Sequence, residues 1–293
     1  ADPSLFLIAG DFYYADIGEN NPDRFREQFQ RALTRPAQAA LYREVPVAYT
    51  WDDHDYGPND ADRTAPSREA ARAIYRETVP HYELAAGAGD EAIYQAFTMG
   101  RVRFLLTNTR SERDPSALPA GDQRSMLGVE QKRWLKEELL AANGTYPVIV
   151  WVNSVPWIAE PSPGGDNWSG FAEERAELSN FIADNAIEGI VMVSGDAHMV
   201  AIDDGSNSDY STNGGAAFPV FHAAALDRRG SLKGGPYSEG AFPGSGQFGL
   251  FSVEDDGGSR VVVSLRGLNW KGEEIVSHRI ELPARVEAAD RDR

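Results

Sequence analysis

The stretch that decides the fold is SLFLIAGDFYYAD, residues 4–16, in which an apolar run ends abruptly at Gly10 and Asp11. A second apolar run that ends at a Gly-Asp pair occurs much later in the chain, in GIVMVSGDAHM, residues 189–199. A short, continuous apolar run that is bounded by a turn is typical of a strand buried on both faces. Two such runs, each with a carboxylate at its carboxyl end, predict an α/β fold whose polar chemistry lies at the ends of strands.

Apolar runs and amphipathic segments alternate over the first two thirds of the chain, which also favours an α/β architecture. The predicted strands in this part are 4–9, 46–51, 102–107, 147–152 and 189–194. The predicted helices are 23–44 with an interruption at Pro36, 67–79, 128–142 and 172–187. Four later segments with glycine-rich connections are predicted strands: 218–223, 247–253, 260–266 and 274–282. We predict that this strand-rich end contributes antiparallel strands that complete a second sheet.

The composition and charge of the chain narrow the classes of function. Its 293 residues are 42% hydrophobic and 10% aromatic, which allows a large core. The absence of cysteine excludes disulfides, thiolate metal sites and thiol nucleophiles. A formal net charge of -17 argues against a nucleic-acid-binding surface or binding to anionic membranes. No apolar run approaches the roughly 18 residues of a membrane span, and the chain shows no signal peptide.

The predicted strands end in polar residues that together suit a metal site. Carboxylates, histidines and amides predominate among them: Asp11, Tyr14, Asp52, Asp53, His54, Asp55, Asn108, Arg110, Asn153, Ser154, Asp196 and His198. Clustered carboxylates repel one another unless a cation lies between them. Oxygen ligands with one or two imidazoles favour calcium, magnesium, manganese or ferric iron. Each segment alone has a simpler explanation, such as a helix N-cap or a solvated acidic loop, but their ordered recurrence favours a metal site.

The order of four motifs resembles the calcineurin-like metallophosphoesterases, and among them the PhoD-like alkaline phosphatase and phosphodiesterase branch. The motifs are GDFYYAD (10–16), WDDHD (51–55), VWVNSVPW (150–157) and SGDAHM (194–199). Further matches to that branch occur at 127–135, 166–175, 196–208 and 233–250. The resemblance implies a four-layer αββα sandwich of two mixed sheets with helices outside.

The resemblance also implies which residues hold metal ions. Asp11 would bridge two metals, while Tyr14 and His198 would bind ferric iron at the first site. Asp196 would favour calcium at a second site, which either Asp52 or Asp53 would join together with the amide oxygen of Asn59. The expected cofactors are therefore two or more ions, Fe(III) with Ca(II), with Mn, Mg or Zn as alternatives. Phenolate and carboxylate oxygens suit such hard Lewis acids.

The predicted activity is the metal-dependent hydrolysis of small phosphate esters, either phosphodiesters or phosphomonoesters. By resemblance, a metal-activated water or oxide attacks phosphorus in line, and no protein nucleophile is needed. His54 corresponds to the histidine that stabilises charge or protonates the leaving oxygen. Arg110 lies where the branch has an Asp-x-Arg sequence and would bind the phosphoryl group, although Asn108 replaces the aspartate here.

The resemblance departs from the branch at the N-terminus. The branch carries an earlier strand that ends in an iron-ligating cysteine, whereas this chain has no cysteine and only ten residues precede Asp11. We expect an N-terminally truncated fragment, in which case the sandwich lacks its first strand. Residues 1–285 are predicted to form one domain, followed by a polar tail at 286–293. Because the family is commonly exported, we expect a secreted or periplasmic protein.

Two alternatives from other classes of function follow from the same residues. The first is a catalytically impaired metal-binding domain that has lost activity together with its first strand. The second is a non-enzymatic, calcium-stabilised protein whose acidic loops serve only structure. Metal content without turnover would identify the first alternative, and for the second, changes at Asp11 or His198 would affect only stability under chelation.

Overall fold

The computed structural model describes residues 3–87, 89, 91–116 and 124–284. The strands are β1 (Phe6–Ala9), β2 (Val47–Thr50), β3 (Gln95–Met99), β4 (Val102–Leu106), β5 (Val148–Asn153), β6 (Ile190–Ser194), β7 (Met199–Asp203), β8 (Val220–Ala223), β9 (Ala241–Pro243), β10 (Gln247–Glu254), β11 (Arg260–Asn269) and β12 (Glu274–Pro283). The helices are α1 (Pro22–Thr34), α2 (Pro36–Glu44), α3 (Asp53–Tyr56), α4 (Arg68–Thr78), α5 (Gly128–Ala142) and α6 (Ala172–Asp184), with a 3-10 turn at Trp168–Phe171. In these ranges no helix has the length and apolar character needed to cross a membrane.

The larger sheet is mixed and has seven strands in the order β3-β4-β5-β6-β8-β7-β9. Its centre, β4-β5-β6-β8, is parallel, while β3, β7 and β9 pair antiparallel with their neighbours. Every residue of β5 and β6 is buried. Continuous apolar sequence is what a parallel strand needs when both faces of its sheet are covered.

A second layer of strands packs against one face of the larger sheet. It consists of the parallel pair β1-β2 and, separately, the antiparallel set β10-β11-β12. One buried cluster joins Ala48 of β2 and Val263 and Leu265 of β11 to Val150 and Val191 of the larger sheet. The principal core of the molecule therefore lies between two layers of strands.

Helices cover the two outer faces. On the larger sheet, Leu135 of α5 and Leu178 of α6 pack with Trp151, which points away from the core between the sheets. On the opposite side, Phe25 of α1 packs with Tyr49 of β2 in a separate cluster that also includes α4. The arrangement is α-β-β-α, so the predicted four-layer sandwich is confirmed.

The prediction for the strand-rich C-terminal third was correct for three of its four segments. β10, β11 and β12 form the expected antiparallel sheet. The segment 218–223 was assigned wrongly to the second sheet, because β8 inserts into the larger sheet and runs parallel to β6. A parallel partner so distant in sequence leaves no local signal. The interruption of the first helix at Pro36 is confirmed by the boundary between α1 and α2.

Candidate metal centre

Two Gly-Asp turns, one from each layer of strands, meet at the carboxyl ends of β1 and β6. Asp11 and Asp196 both adopt left-handed backbone conformations, with φ of 55° and 63°. Aspartate tolerates this region better than most residues, and such strain is typical of functional sites. A Cβ atom on Gly195 would lie 2.2 Å from the carbonyl oxygen of Ala9. Only glycine allows the two turns to approach so closely.

The side chains of Asp11, Tyr14 and His198 converge on one point. The Tyr14 hydroxyl lies 2.8 Å from Oδ2 of Asp11 and 2.9 Å from Nε2 of His198. The Nδ1 atom of His198 lies 2.8 Å from the carbonyl oxygen of Arg229, which can only accept, so Nδ1 carries the proton. Burial lowers the pKa of His198, so its ring is neutral at pH 7 and Nε2 presents a lone pair. When Asp11 is ionised, as it would be beside a cation, the single Tyr14 proton faces two acceptors.

The other oxygen of Asp11 is also suited to a cation. Oδ1 of Asp11 is buried and has no hydrogen-bond partner. Ligand atoms of Asp11, Asp53 and His54 all lie within 4.8 Å of one another. Burial, followed by the neighbouring carboxylates of Asp52 and Asp55, raises the pKa of Asp11 to about 9. A bound cation would reverse that penalty by compensating the negative charge, so the donor set fits hard metal ions.

A second acidic group shares Asp53. Ligand atoms of Asp53, Asp60 and Asp166 lie within 4.8 Å of one another. The Asp60 backbone N–H donates to Oδ2 of Asp53 over 2.7 Å. Although burial raises it, the pKa of Asp53 is lowered overall by Arg110 and this hydrogen bond. Asn59, the predicted amide ligand, is exposed beside Asp60, and its role stays a prediction.

Asp52 and Arg110 form a buried ion pair. The Nε and Nη2 atoms of Arg110 donate to the Asp52 carboxylate over 2.6 and 3.1 Å, and Ser154 Oγ donates to Oδ1 of Asp52 over 2.8 Å. The Nη1 and Nη2 atoms of Arg110 also donate to Asp166, both over 2.8 Å. Every guanidinium nitrogen is thus engaged by a carboxylate, and the side chain is fully buried. Contact between Arg110 and a phosphoryl group stays a prediction.

His54 is held against the cluster by Asp16 and Tyr14. The Nδ1 atom of His54 lies 2.6 Å from Oδ1 of Asp16, and the rings of His54 and Tyr14 lie 4.2 Å apart. A carboxylate on one ring nitrogen fixes the orientation of the ring. This geometry is compatible with a histidine that holds and delivers a proton.

Asp55, the last residue of WDDHD, joins two of the motif loops. It accepts hydrogen bonds from the backbone N–H groups of Phe12, over 2.9 Å, and Asp52, over 2.7 Å, and from the Tyr49 hydroxyl. Burial raises the pKa of Asp55 to about 7, although these hydrogen bonds lower it. Asp55 therefore connects the first Gly-Asp turn to the α3 loop rather than facing the cluster.

Asp196 lies opposite a lysine. The Nζ atom of Lys233 forms an ion pair with Oδ1 of Asp196, and Asp196 is almost wholly buried. Burial raises the pKa of Asp196 and Lys233 opposes that shift. The lysine supplies positive charge on the carboxylate that was predicted to bind the second metal.

The structure brings most of the predicted site residues together in one region. Asp11, Tyr14, Asp53, His54, Asp196 and His198 line it, and Asp53, unlike Asp52, belongs to both acidic groups. Sequence analysis did not single out Asp16, Asp60, Asp166 and Lys233 as site residues. For Asp166 the signal was its place at the start of the matching stretch 166–175, and for Asp16 its place at the end of GDFYYAD.

A four-layer sandwich with carboxylates and imidazoles gathered at strand ends from both layers defines the metallophosphoesterase class of fold. The sequence model of the PhoD-like phosphatase family matches residues 2–239. The chain therefore belongs to the PhoD-like phosphatase family, which confirms the resemblance seen in its motifs.

Three known proteins illustrate the similarity. Alkaline phosphatase D of Bacillus subtilis (strain 168) is 27% identical over 186 residues, which are 54% of this chain and 32% of that protein. A solved structure of PhoD superposes with a TM-score of 0.70 at 19% identity, covering 94% of this chain and 63% of that one. A dimetal phosphatase from Danio rerio gives a TM-score of 0.51 at 14% identity, covering 96% and 98%. The two structures confirm the fold, and the chain spans about a third of the curated relative's length.

Proposed function

We propose that this chain hydrolyses small phosphate esters with metal ions held in the Asp11 cluster. The observation that carries the proposal is the convergence of Asp11, Tyr14 and His198 on one point. The Tyr14 hydroxyl lies within 2.9 Å of a carboxyl oxygen and an imidazole nitrogen, and the second oxygen of Asp11 has no partner. Buried polar atoms are otherwise almost always satisfied, so this pattern is typical of a metal site. Membership of the PhoD-like phosphatase family supports the same function.

The donor atoms divide into two proposed sites. Asp11, Tyr14 and His198 would hold ferric iron, since a phenolate and a carboxylate suit a hard trivalent ion. Asp53 and Asp196, with Asp11 as the bridge, would hold calcium; Mn, Mg or Zn would fit the same oxygens. Bound metal ions polarise the phosphoryl oxygens and lower the pKa of water.

The remaining residues orient groups and move a proton. Asp16 orients the His54 ring through Nδ1, which places His54 to act as the general acid for the leaving oxygen. Arg110 positions the side chains of Asp52 and Asp166 beside the site through paired hydrogen bonds. Although burial raises it, the pKa of Asp166 is lowered to about 2 by Arg110 and Arg113.

The test is turnover of p-nitrophenyl phosphate and bis(p-nitrophenyl) phosphate at alkaline pH after loading with iron and calcium. We expect release of p-nitrophenol that EDTA abolishes and that the double substitution Asp196→Asn, His198→Ala abolishes as well. Asp23→Asn, on the exposed first turn of α1, is the matched control and should retain full activity. Metal content is measured on every variant. A folded, metal-loaded protein without turnover would contradict the proposal and favour a non-catalytic metal-binding domain.

A further inference from the structure

A loop rich in cations covers one side of the candidate metal centre. We call residues 226–233, LDRRGSLK, the basic loop; it follows β8. Its Arg228 guanidinium carbon lies 3.6 Å from the centroid of the Tyr14 ring, and its Lys233 pairs with Asp196. Two cations thus stand beside two of the predicted metal ligands in a chain whose net charge is -17.

The backbone of the basic loop is held on His198. The His198 N–H donates to Ser231 Oγ over 3.1 Å, and the Ser231 N–H donates to the His198 carbonyl over 3.0 Å. The Arg229 carbonyl accepts from Nδ1 of His198, and the Tyr237 hydroxyl donates to the Lys233 carbonyl over 3.2 Å. These contacts fix the loop relative to the ligands, so Arg228 and Lys233 are placed by the fold.

Both cations retain hydrogen-bond donors that face solvent. Arg228 is exposed and lies over the Tyr14 ring, and its guanidinium carries five N–H donors. Within the described residues, its side chain makes no hydrogen bond or ion pair. The Lys233 side chain is 43% exposed, and its ammonium group uses one of its three N–H donors to bind Asp196. Arg110, by contrast, is buried with its nitrogens occupied by carboxylates.

We propose that Arg228 and Lys233 form a cationic rim that binds the non-bridging oxygens of the substrate and selects phosphomonoesters over phosphodiesters. The inference rests on the proposed hydrolysis of phosphate esters and adds the class of ester. A monoester carries two negative charges at alkaline pH and a diester carries one. Cations at the entrance therefore attract the monoester more strongly, because the Coulomb energy scales with the product of the charges. Charge-assisted hydrogen bonds to phosphoryl oxygens add to that preference.

The experiment compares Arg228→Gln and Lys233→Gln with Arg43→Gln as the matched control. Arg43 is exposed in the last turn of α2, which precedes β2, whereas the site lies at the carboxyl end of β2. Each change removes one positive charge. On metal-loaded protein of verified metal content, kcat and KM are measured for p-nitrophenyl phosphate and bis(p-nitrophenyl) phosphate. Binding of inorganic phosphate is measured separately by calorimetry, which needs no turnover.

We expect each rim substitution to raise KM for the monoester and the Kd for inorganic phosphate about tenfold, since a lost charge-assisted hydrogen bond is worth ~1.5 kcal/mol or more. KM for the diester should rise by about threefold or less, because its single charge gains less from the rim. Lys233→Arg keeps the positive charge and should bind inorganic phosphate as the wild-type protein does. Arg43→Gln should change neither KM for the esters nor Kd for inorganic phosphate.

Two results separate failure of the rim from failure of the proposed function. If wild-type protein hydrolyses both esters and the Arg228 and Lys233 variants match Arg43→Gln, the rim is wrong and hydrolysis stands. Equal losses for monoester and diester would also overturn the selectivity. If wild-type protein hydrolyses neither ester, the proposed function fails, and phosphate calorimetry still decides the rim. Weaker phosphate binding in both variants supports it, and unchanged or undetectable binding overturns it.

Discussion

Replacing Gly10 with alanine tests the close approach that assembles the candidate metal centre. Gly10 has a φ of +98°, and a Cβ atom there would lie 2.6 Å from the Cβ of Asp52 and 3.1 Å from its backbone nitrogen. Real carbon atoms prefer about 3.5–4.0 Å, so the two motif loops would have to separate by about 1 Å. Asp52 cannot move freely, because Arg110 and Ser154 both hold its carboxylate.

The expected loss of stability follows from three contributions. The left-handed backbone costs an alanine about 1–2 kcal/mol, and forcing an extra methyl group into packed surroundings costs about 1–3 kcal/mol. The reduced entropy of the unfolded chain returns about 0.4–1 kcal/mol. The net destabilisation is about 1–5 kcal/mol, which for a chain of this size lowers the melting temperature by roughly 2–7 °C.

The assay is thermal unfolding of the metal-free protein, with Gly87→Ala as the control. Gly87 has a φ of +92°, close to that of Gly10, but a Cβ atom there would meet nothing within 4 Å. The control therefore carries the backbone cost without the collision and should melt within about 2 °C of wild type. Gly10→Ala should also weaken iron and calcium binding. Equal melting temperatures for the two variants would refute the packing argument.

Two further predictions concern buried groups. Arg110→Lys should destabilise the protein by about 3–5 kcal/mol in urea unfolding, because one ammonium cannot replace paired hydrogen bonds to both Asp52 and Asp166; a loss below about 1 kcal/mol would contradict the network. His222 is fully buried, and burial lowers its pKa to about 3. Its folded pKa lies below the unfolded value, so stability that is present above about pH 6.5 is lost on acidification toward pH 3. His222→Leu should flatten that acid limb by up to about 1.4 kcal/mol per pH unit in urea unfolding between pH 7 and 4, and an unchanged slope would contradict this assignment.

Local sequence was sufficient to predict strands that are continuously apolar and helices that are amphipathic. The run PVIVWV, residues 147–152, has no polar residue and corresponds to β5, which is buried on both faces. Proline lacks the backbone N–H that a helix interior needs, so the break at Pro36 was readable. The strands β3, β7 and β9 were missed. β7 directly follows SGDAH without an intervening loop signal, and β9 has only three residues, Ala241–Pro243.

For the site residues, too, some features were predicted from the sequence and others were decided only by the structure. Sequence alone determined that Gly-Asp turns follow two apolar strands and that Tyr14 and His198 accompany them, because these residues are neighbours along the chain. The prediction that the first of these strands is buried on both faces was wrong, because every residue of β1 is only partly buried. Only the tertiary structure decided that Asp53 joins both acidic groups while Asp52 pairs with Arg110, although the two aspartates are adjacent.

The reason is the range of the interactions. Hydrophobic periodicity and turn residues act over only a few positions. Strands and helices that depend on them can therefore be predicted from the sequence alone. Arg110 meets Asp166 across 56 positions and Lys233 meets Asp196 across 37. Such contacts depend on which strand ends become neighbours after the layers pack. Strand order, the placement of β8 beside β6 and the cations beside the predicted metal ligands are therefore properties of the folded chain.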